Sequence, residues 1–431
     1  MRTKNIIKCF FALILALNIG CKSNTNSDVE IAPQAGSANF TRYISLGNSL
    51  TAGYADNGLY LAGQLNSFPS IIAQQMKLAG GGEFLQPLFS TAQKNGSGYL
   101  KYGGLSASGS PNLIPVTTDL GVRGTTTIPG FGSVTLYTKY TTDINNYGVP
   151  GIKLRDIKLA VYGNVNGFYE RLLPGNAGTN STTYLDFATA KDFTFFSNWL
   201  GNNDVLAYAT TGGVGDFLTP KADFNNMYAE LLDKLTAKGA KGIVATIPDV
   251  SSIPYFNTVT VAAVLAGVKA QAPTVTALYI ATSTGARAAT SEDLIILPFP
   301  TSLISPLTFY GLSPLNPIES KYVLDKDEVA IVRDFVGSYN TSIKTLANAK
   351  GLAIFDAFEY LNTLKGTGRI IDGVTLNSSF IQGKVFSLDG VHLTPMGYAV
   401  VANEMMTQIN LKYGSTLPKV NLGNYTFLRF N

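Results

Sequence analysis

The chain has 431 residues, 45% of them hydrophobic and 14% charged, with 43 glycines and 19 prolines. This composition excludes a disordered chain, a collagen and a long coiled coil, and the length allows two to three small domains or one elaborated α/β domain. The net charge of +4 owes three positive side chains to Arg2, Lys4 and Lys8; without them 29 basic residues face 28 acidic ones, which leaves no electrostatic footprint for nucleic acid.

Met1 to Lys8 is a basic segment, and Cys9 to Leu17 (CFFALILAL) is an apolar run of signal-peptide length. A membrane span needs about 20 such residues. Leu17-Asn18-Ile19-Gly20-Cys21 resembles a bacterial lipobox, with Gly20 as the small residue and Asn18 unusual. The resemblance implies cleavage before Cys21 and lipidation of that residue, so that acyl chains hold the protein to a membrane of the bacterial envelope. The outer membrane is the expected one. An ordinary secretory signal is the alternative. Residues 1–20 are thus read as a signal peptide and 21–38, rich in Ser, Asn and Asp, as a lipidated flexible tether.

Tyr43-Ile44-Ser45-Leu46 reads as a buried strand that feeds a turn at Gly47-Asn48-Ser49. Phe68–Leu78 has helical spacing after Ser67, with Pro69 in its first turn. Residues 80–145 are rich in Gly, Ser and Thr and read as loops and short strands inserted into the core. Gly148 to Ala160 passes from a Gly/Pro turn to a predicted helix. Phe193–Leu200 is a predicted strand with Gly201-Asn202-Asn203-Asp204 as its exit loop. Ala222–Lys238 is a helix with a stripe of Met227, Leu231, Leu232 and Leu235, and Gly242–Ile247 is a strand. Residues 254–320 form a second predicted insertion. Asp327–Ala349 is a helix, Leu352–Phe355 a strand and Met396–Leu411 a terminal helix that turns Val400, Val401, Met405 and Ile409 inward. An extended tail is expected after Tyr413. Strands alternating with helices predict a mostly parallel sheet covered on both faces.

The chemistry starts from scarcity. His392 is the only histidine, and both cysteines precede residue 22. Metal sites built on several histidines, cysteine-type zinc sites and a cysteine nucleophile in the body are all excluded. His392 lies in Asp389-Gly390-Val391-His392, where a carboxylate three residues upstream can reach the imidazole. Ser49 stands at a strand-to-turn exit, the place for an exposed hydroxyl. Gly151, in Asn146-Tyr147-Gly148-Val149-Pro150-Gly151, can present a backbone N–H, and Asn203 a side-chain amide, to a developing oxyanion. Taken singly, each segment is equally the pattern of an ordinary turn or loop. Gly-x-Ser-x-Gly, Gly-x-Gly-x-x-Gly and phosphate-binding Gly-Lys motifs are absent, and no carboxylate pair is singled out for glycoside chemistry.

Together, and in this order, the four segments resemble the serine, glycine, Gly-x-Asn-Asp and Asp-x-x-His blocks of the SGNH (GDSL-type) hydrolases. The resemblance implies an SGNH-type three-layer α/β/α sandwich over residues 39–431 with two large insertions. It implies a serine esterase with Ser49 as nucleophile, His392 as base and then acid, and Asp389 as orienter. The Ser49 and Gly151 N–H groups and the Asn203 side chain would form the oxyanion hole, with Gly47, Asn48 and Asp204 supporting them. No metal or organic cofactor is implied. The family usually has Asp where this chain has Asn48; Asn serves if that position only makes hydrogen bonds. The expected substrate is a lipid acyl ester or an O-acetylated glycan, and a monomer is expected. The rival is a non-catalytic lipoprotein that keeps the fold and binds glycan or lipid. Ser49 to Gly151 and Asn203 to Asp389 are both long spacings, so the insertions are expected to form a cap or wall over Ser49.

Overall fold

The computed structural model describes residues 32–106 and 109–429. The signal peptide, Cys21 and most of the expected tether lie outside the described residues. Five strands form one sheet: β1 (Tyr43–Gly47), β2 (Asn146–Gly148), β3 (Phe195–Trp199), β4 (Lys241–Ala245) and β5 (Ala353–Phe355). Their spatial order is β5-β4-β3-β1-β2, and every pairing is parallel. Every residue of β1, β2 and β3 is buried, as a parallel sheet covered by crossover helices requires.

Six helices frame the sheet and its site: α1 (Ser49–Ala52), α2 (Phe68–Leu78), α3 (Asn203–Ala209), α4 (Lys221–Thr236), α5 (Lys326–Ala349) and α6 (Pro395–Tyr413). The strand period of two divides β3 between both layers. Phe195 packs edge-on against Tyr413 of α6, and Trp199 against Phe68 of α2. Asn198, on the other face, donates to the Tyr228 hydroxyl of α4 at 3.0 Å. Helices α2 and α6 therefore cover one face, while α4 packs with α5 on the other. The result is the expected three-layer α/β/α sandwich. The connections diverge between β1 and β3, and in such sheets the crevice at the carboxyl ends of the diverging strands is where ligands bind.

Three local expectations are revised. Gln34 to Ala38 is packed rather than free: Ser37 N–H donates to the Tyr413 carbonyl at 2.8 Å, and Thr416 N–H to the Gln34 carbonyl at 2.9 Å. The folded unit begins at Pro33. The expected helix before Ala160 is only a 3₁₀ turn, Leu154–Asp156. The Asp204 carboxylate accepts from the Leu154 and Arg155 amides, so this stretch is held from outside rather than by its own helical bonds. The tail after Tyr413 folds back on α6, where the Asn403 side chain bonds both the N–H and the carbonyl of Val420 at 2.8 Å.

The first insertion carries two antiparallel hairpins, Tyr99–Leu105 with Pro111–Val116 and Val122–Ile128 with Gly132–Tyr137. The second hairpin is fastened to the core by Glu170, which is fully buried and bonds Arg123 at 2.6 Å and Lys139 at 2.7 Å. The second insertion contains a short helix, Val261–Lys269, and the hairpin Tyr279–Thr282 with Gly285–Ala288. No helix among the described residues is long and apolar enough to cross a membrane.

Candidate active site

β1 ends in Gly47 and the chain turns at once into α1. A Cβ on Gly47 would stand 2.0 Å from the Thr51 hydroxyl, so only glycine allows this close turn. Asn48 caps α1: its side-chain oxygen accepts from the Leu50 N–H at 3.0 Å. That bond needs an acceptor oxygen and no charge, so Asn serves at this position.

The turn sets the Ser49 hydroxyl 2.8 Å from His392 Nε2. His392 Nδ1 lies 2.8 Å from Asp389 Oδ2. Both Asp389 oxygens are occupied. Oδ1 accepts from the Val391 and His392 amides at 2.8 Å each and from the Ser387 hydroxyl at 3.1 Å, and Oδ2 also accepts from the Asn57 N–H at 2.9 Å. Burial alone would push the Asp389 carboxyl up. The neighbouring His392 and the hydrogen bonds from His392 and Val391 outweigh burial and hold it well below the usual carboxylate range. An ionised carboxylate only accepts, so Nδ1 carries the imidazole proton and Nε2 is left to accept from Ser49.

The expected oxyanion donors belong to the same cleft. Ser49, Gly151, Asn203 and His392 line one open cleft of about 430 Å³. Among the described residues, neither the Ser49 nor the Gly151 backbone N–H donates to a protein acceptor. Gly151 has φ of +85°, a left-handed backbone that favours glycine. Asn203 spends one amide hydrogen on the Ile152 carbonyl at 2.9 Å and keeps the other. Asp204 binds the same two segments together: Leu154 N–H donates to it at 2.6 Å, Arg155 N–H at 3.3 Å and the Thr219 hydroxyl at 2.6 Å. The supporting residues Gly47, Asn48 and Asp204 thus all touch the turns that carry the donors and the serine.

The insertions divide the expected role of wall. Ser133, Thr135 and Tyr137 of the first insertion line the cleft. The second insertion does not reach it. Instead the Tyr255 N–H donates to the Gly390 carbonyl at 2.9 Å, bracing the loop that carries Asp389 and His392. The reason is topological: this insertion follows β4, one strand farther from the divergence of β1 and β3.

Two contributors escaped the sequence reading. The Tyr54 ring leans on the His392 imidazole, with centroids 4.6 Å apart. Asp56 accepts from the Leu388 N–H at 3.0 Å and the Tyr60 hydroxyl at 2.7 Å, and its own N–H donates to Ser387 at 2.9 Å. Asp56 and Asn57 both have positive φ, and Ala55 and Gly58 exchange both backbone bonds around them. Asp-Asn-Gly is a legible signal for that tight turn; its docking on the distant histidine loop is not.

Among the described residues, no cluster of His, Cys, Asp and Glu is placed to hold a metal ion. The family model described as GDSL-like Lipase/Acylhydrolase matches residues 43–405, which includes all four blocks. No curated protein matches the chain significantly. Solved structures that resemble it include the lipase/acylhydrolase from Enterococcus faecalis, 12% identical over 88% of this chain and 100% of that one, with a TM-score of 0.34. Another is a mutant acetyl-xylooligosaccharide esterase from Geobacillus stearmophilus, 9% identical over 87% and 96% of the two chains, TM-score 0.37. A third is an extracellular lipase from Streptomyces rimosus, 11% identical over 86% and 99%, TM-score 0.31. Likenesses this distant carry no argument about substrate.

Asp204 yields a pH test of the clamp. Burial is the main cause that raises its carboxyl to about 6 from 3.8, against the hydrogen bonds from Thr219, Leu154 and Arg155. The folded state therefore binds more protons than the unfolded one between those values, and the contribution of Asp204 to stability falls as pH rises from about 4 through 6. Thermal unfolding of the protein and of Asp204→Asn from pH 4 to 7 is expected to show the difference moving in favour of the variant by up to about 3 kcal/mol. A pH-independent difference contradicts the assignment. The matched family model, spanning the serine, glycine, asparagine and histidine blocks, places the chain in the GDSL-like lipase/acylhydrolase family, whose members hydrolyse ester bonds.

Proposed function

We propose that the protein is a serine esterase that works through Ser49, His392 and Asp389 and an acyl-enzyme. The observation that carries this reading is the continuous hydrogen-bonded line from Asp389 through His392 to Ser49, with 2.8 Å at both links. Ser49 Oγ attacks the ester carbonyl carbon as its proton passes to His392 Nε2. The charge that develops on the carbonyl oxygen is met by the Ser49 and Gly151 N–H groups and the Asn203 amide. The bond to the alcohol oxygen then breaks, and His392 returns the proton to that oxygen. Water attacks the acyl-enzyme, gives a proton to His392, and the acid leaves as Ser49 is reprotonated. One ester and one water yield one acid and one alcohol.

Asp389 holds the imidazole in the tautomer this sequence needs and stabilises its protonated form. Asn48 is neutral here and caps the serine turn, which supports a working site over a binding protein that has lost its chemistry. The substrate is a carboxylic ester, either a lipid acyl ester or an O-acetylated glycan, and no metal or organic cofactor takes part.

The decisive variants are Ser49→Ala and Asp389→Asn, assayed on p-nitrophenyl acetate after circular dichroism shows that both fold. Ser49→Ala is expected to fall to background. Asp389→Asn is expected to lose about 10⁴-fold in kcat, because an amide in its place favours the wrong tautomer. Undiminished hydrolysis by Ser49→Ala would overturn the proposal.

The enzyme is further proposed to be exported and held at the envelope as a monomer, by acyl chains on Cys21. Cells fed labelled palmitate are expected to label the wild-type protein and not Cys21→Ala. Equal labelling of both would refute the anchor.

A further inference from the structure

Ser49 and His392 stand 343 positions apart in the chain, so no local contact sets the 2.8 Å between them. The connection runs through the turn that follows α1. The Tyr54 N–H donates to the Ser49 carbonyl at 3.0 Å, which starts the turn in fixed register with the serine. Two residues on, the buried Asp56 uses every polar group it has. Its N–H donates to the Ser387 hydroxyl at 2.9 Å, and one carboxylate oxygen accepts from the Leu388 N–H at 3.0 Å. Its other oxygen accepts from the Tyr60 hydroxyl at 2.7 Å, and its carbonyl from the Leu100 N–H at 2.7 Å. The serine turn thereby meets the histidine loop, Tyr60 and the first hairpin at one residue. Tyr60 is itself held: its ring is buried, with Tyr99 of that hairpin stacked on it at 4.2 Å and the Arg429 guanidinium 5.2 Å over it. Asp56 has φ of +53°, a left-handed backbone that aspartate, asparagine and glycine adopt with least strain. Such a conformation persists only where the surroundings over-determine it, as they do here.

We propose that Asp56 is a positioning residue for the ester reaction: its bonds to Ser387 and Leu388 set the histidine loop at the depth where His392 Nε2 meets Ser49, and Tyr60 and the first hairpin brace it from behind. The proposal rests on the esterase reading above and adds to it a residue that never touches substrate. The role differs from that of Asp389. Asp389 orients the imidazole, whereas Asp56 holds the loop that carries both. It also gives the first hairpin a purpose other than covering the cleft. A reacting group displaced by about 1 Å costs up to ~100-fold in rate. Loss of the brace therefore appears in kcat. Asp56 does not line the cleft that receives the ester, so KM is left nearly unchanged.

The test is kcat and KM for p-nitrophenyl acetate on the full chain and on Asp56→Gly, Asp56→Asn and Tyr60→Phe, with Ser49→Ala as the blank. Each kcat is expressed per serine titrated by a fluorophosphonate. Asp56→Gly keeps the left-handed turn and the N–H to Ser387 and removes only the carboxylate. It is expected to lower kcat per titrated site by ~30- to 100-fold, with KM moved by less than ~3-fold. Asp56→Asn offers an oxygen to the Leu388 N–H and an amide hydrogen to the Tyr60 hydroxyl, which accepts as well as donates. It is expected to recover at least ~10-fold of that loss. Tyr60→Phe keeps the ring between Tyr99 and Arg429 and removes one bond to Asp56, so it serves if Asp56→Gly does not fold. Its kcat per site is expected to fall by about 3- to 10-fold. An unchanged kcat per site in Asp56→Gly, or in Tyr60→Phe where that variant stands in, overturns the proposal and leaves the esterase standing. A merely structural role lowers the amount of folded enzyme and not the turnover of each site. A fall confined to KM, or an Asp56→Asn as slow as Asp56→Gly, overturns it as well. If the full chain cleaves the ester no faster than Ser49→Ala, the esterase reading fails and the proposal fails with it.

Discussion

A carboxylate taken out of water stays ionised only if hydrogen bonds replace the water, and the site is built around meeting that demand at Asp389. Its oxygens collect donors from its own loop, from Asn57 across the fold and from the His392 ring. The consequence runs outward. The bonded carboxylate fixes the imidazole, the imidazole fixes the serine hydroxyl, and Asn57 ties the histidine loop to the chain that has just left α1. A loop and a turn more than 300 residues apart in sequence thereby become one rigid unit.

Asp204 plays the matching part across the cleft. It gathers the amides of Leu154 and Arg155 and the hydroxyl of Thr219 around one buried carboxyl, which fixes the glycine turn against α3. The two acidic residues reach opposite ionisation behaviour from similar burial. Asp389 has a cation-forming neighbour and its carboxyl is held down, whereas Asp204 has only neutral donors and burial prevails. In the proposed mechanism one holds the base in place and the other the oxyanion donors, and Ser49 follows β1 at the divergence of β1 and β3.

Much of this was legible in the order of the residues. The buried runs before Gly47 and Gly201 read as strands of a covered sheet, and the strand exits carry Ser49 and Asn203. A single histidine left no choice for the proposed base, and the contact of its ring with Asp389, three residues before it, is present. What was not legible depends on partners far apart in the chain. The stretch after Gly151 reads as a helix until Asp204 takes its amides. The tail after Tyr413 and the segment before Ala38 read as free because the groups that hold them, Asn403 and Tyr413, lie on α6. Tyr54 and Asp56 have no local pattern that announces a distant loop. The second insertion was expected over the serine on spacing alone, but spacing does not tell which side of the sheet edge an insertion leaves.

The central claim is that Asp389 and His392 make Ser49 a nucleophile. The most direct measurement is labelling with a fluorophosphonate probe, with the site mapped by peptide mass spectrometry and the rate compared with that of His392→Ala. The account predicts stoichiometric modification of Ser49 alone, and a rate that collapses in the variant although the serine is untouched. A folded protein that leaves Ser49 unmodified, or modifies it equally fast without His392, would contradict it.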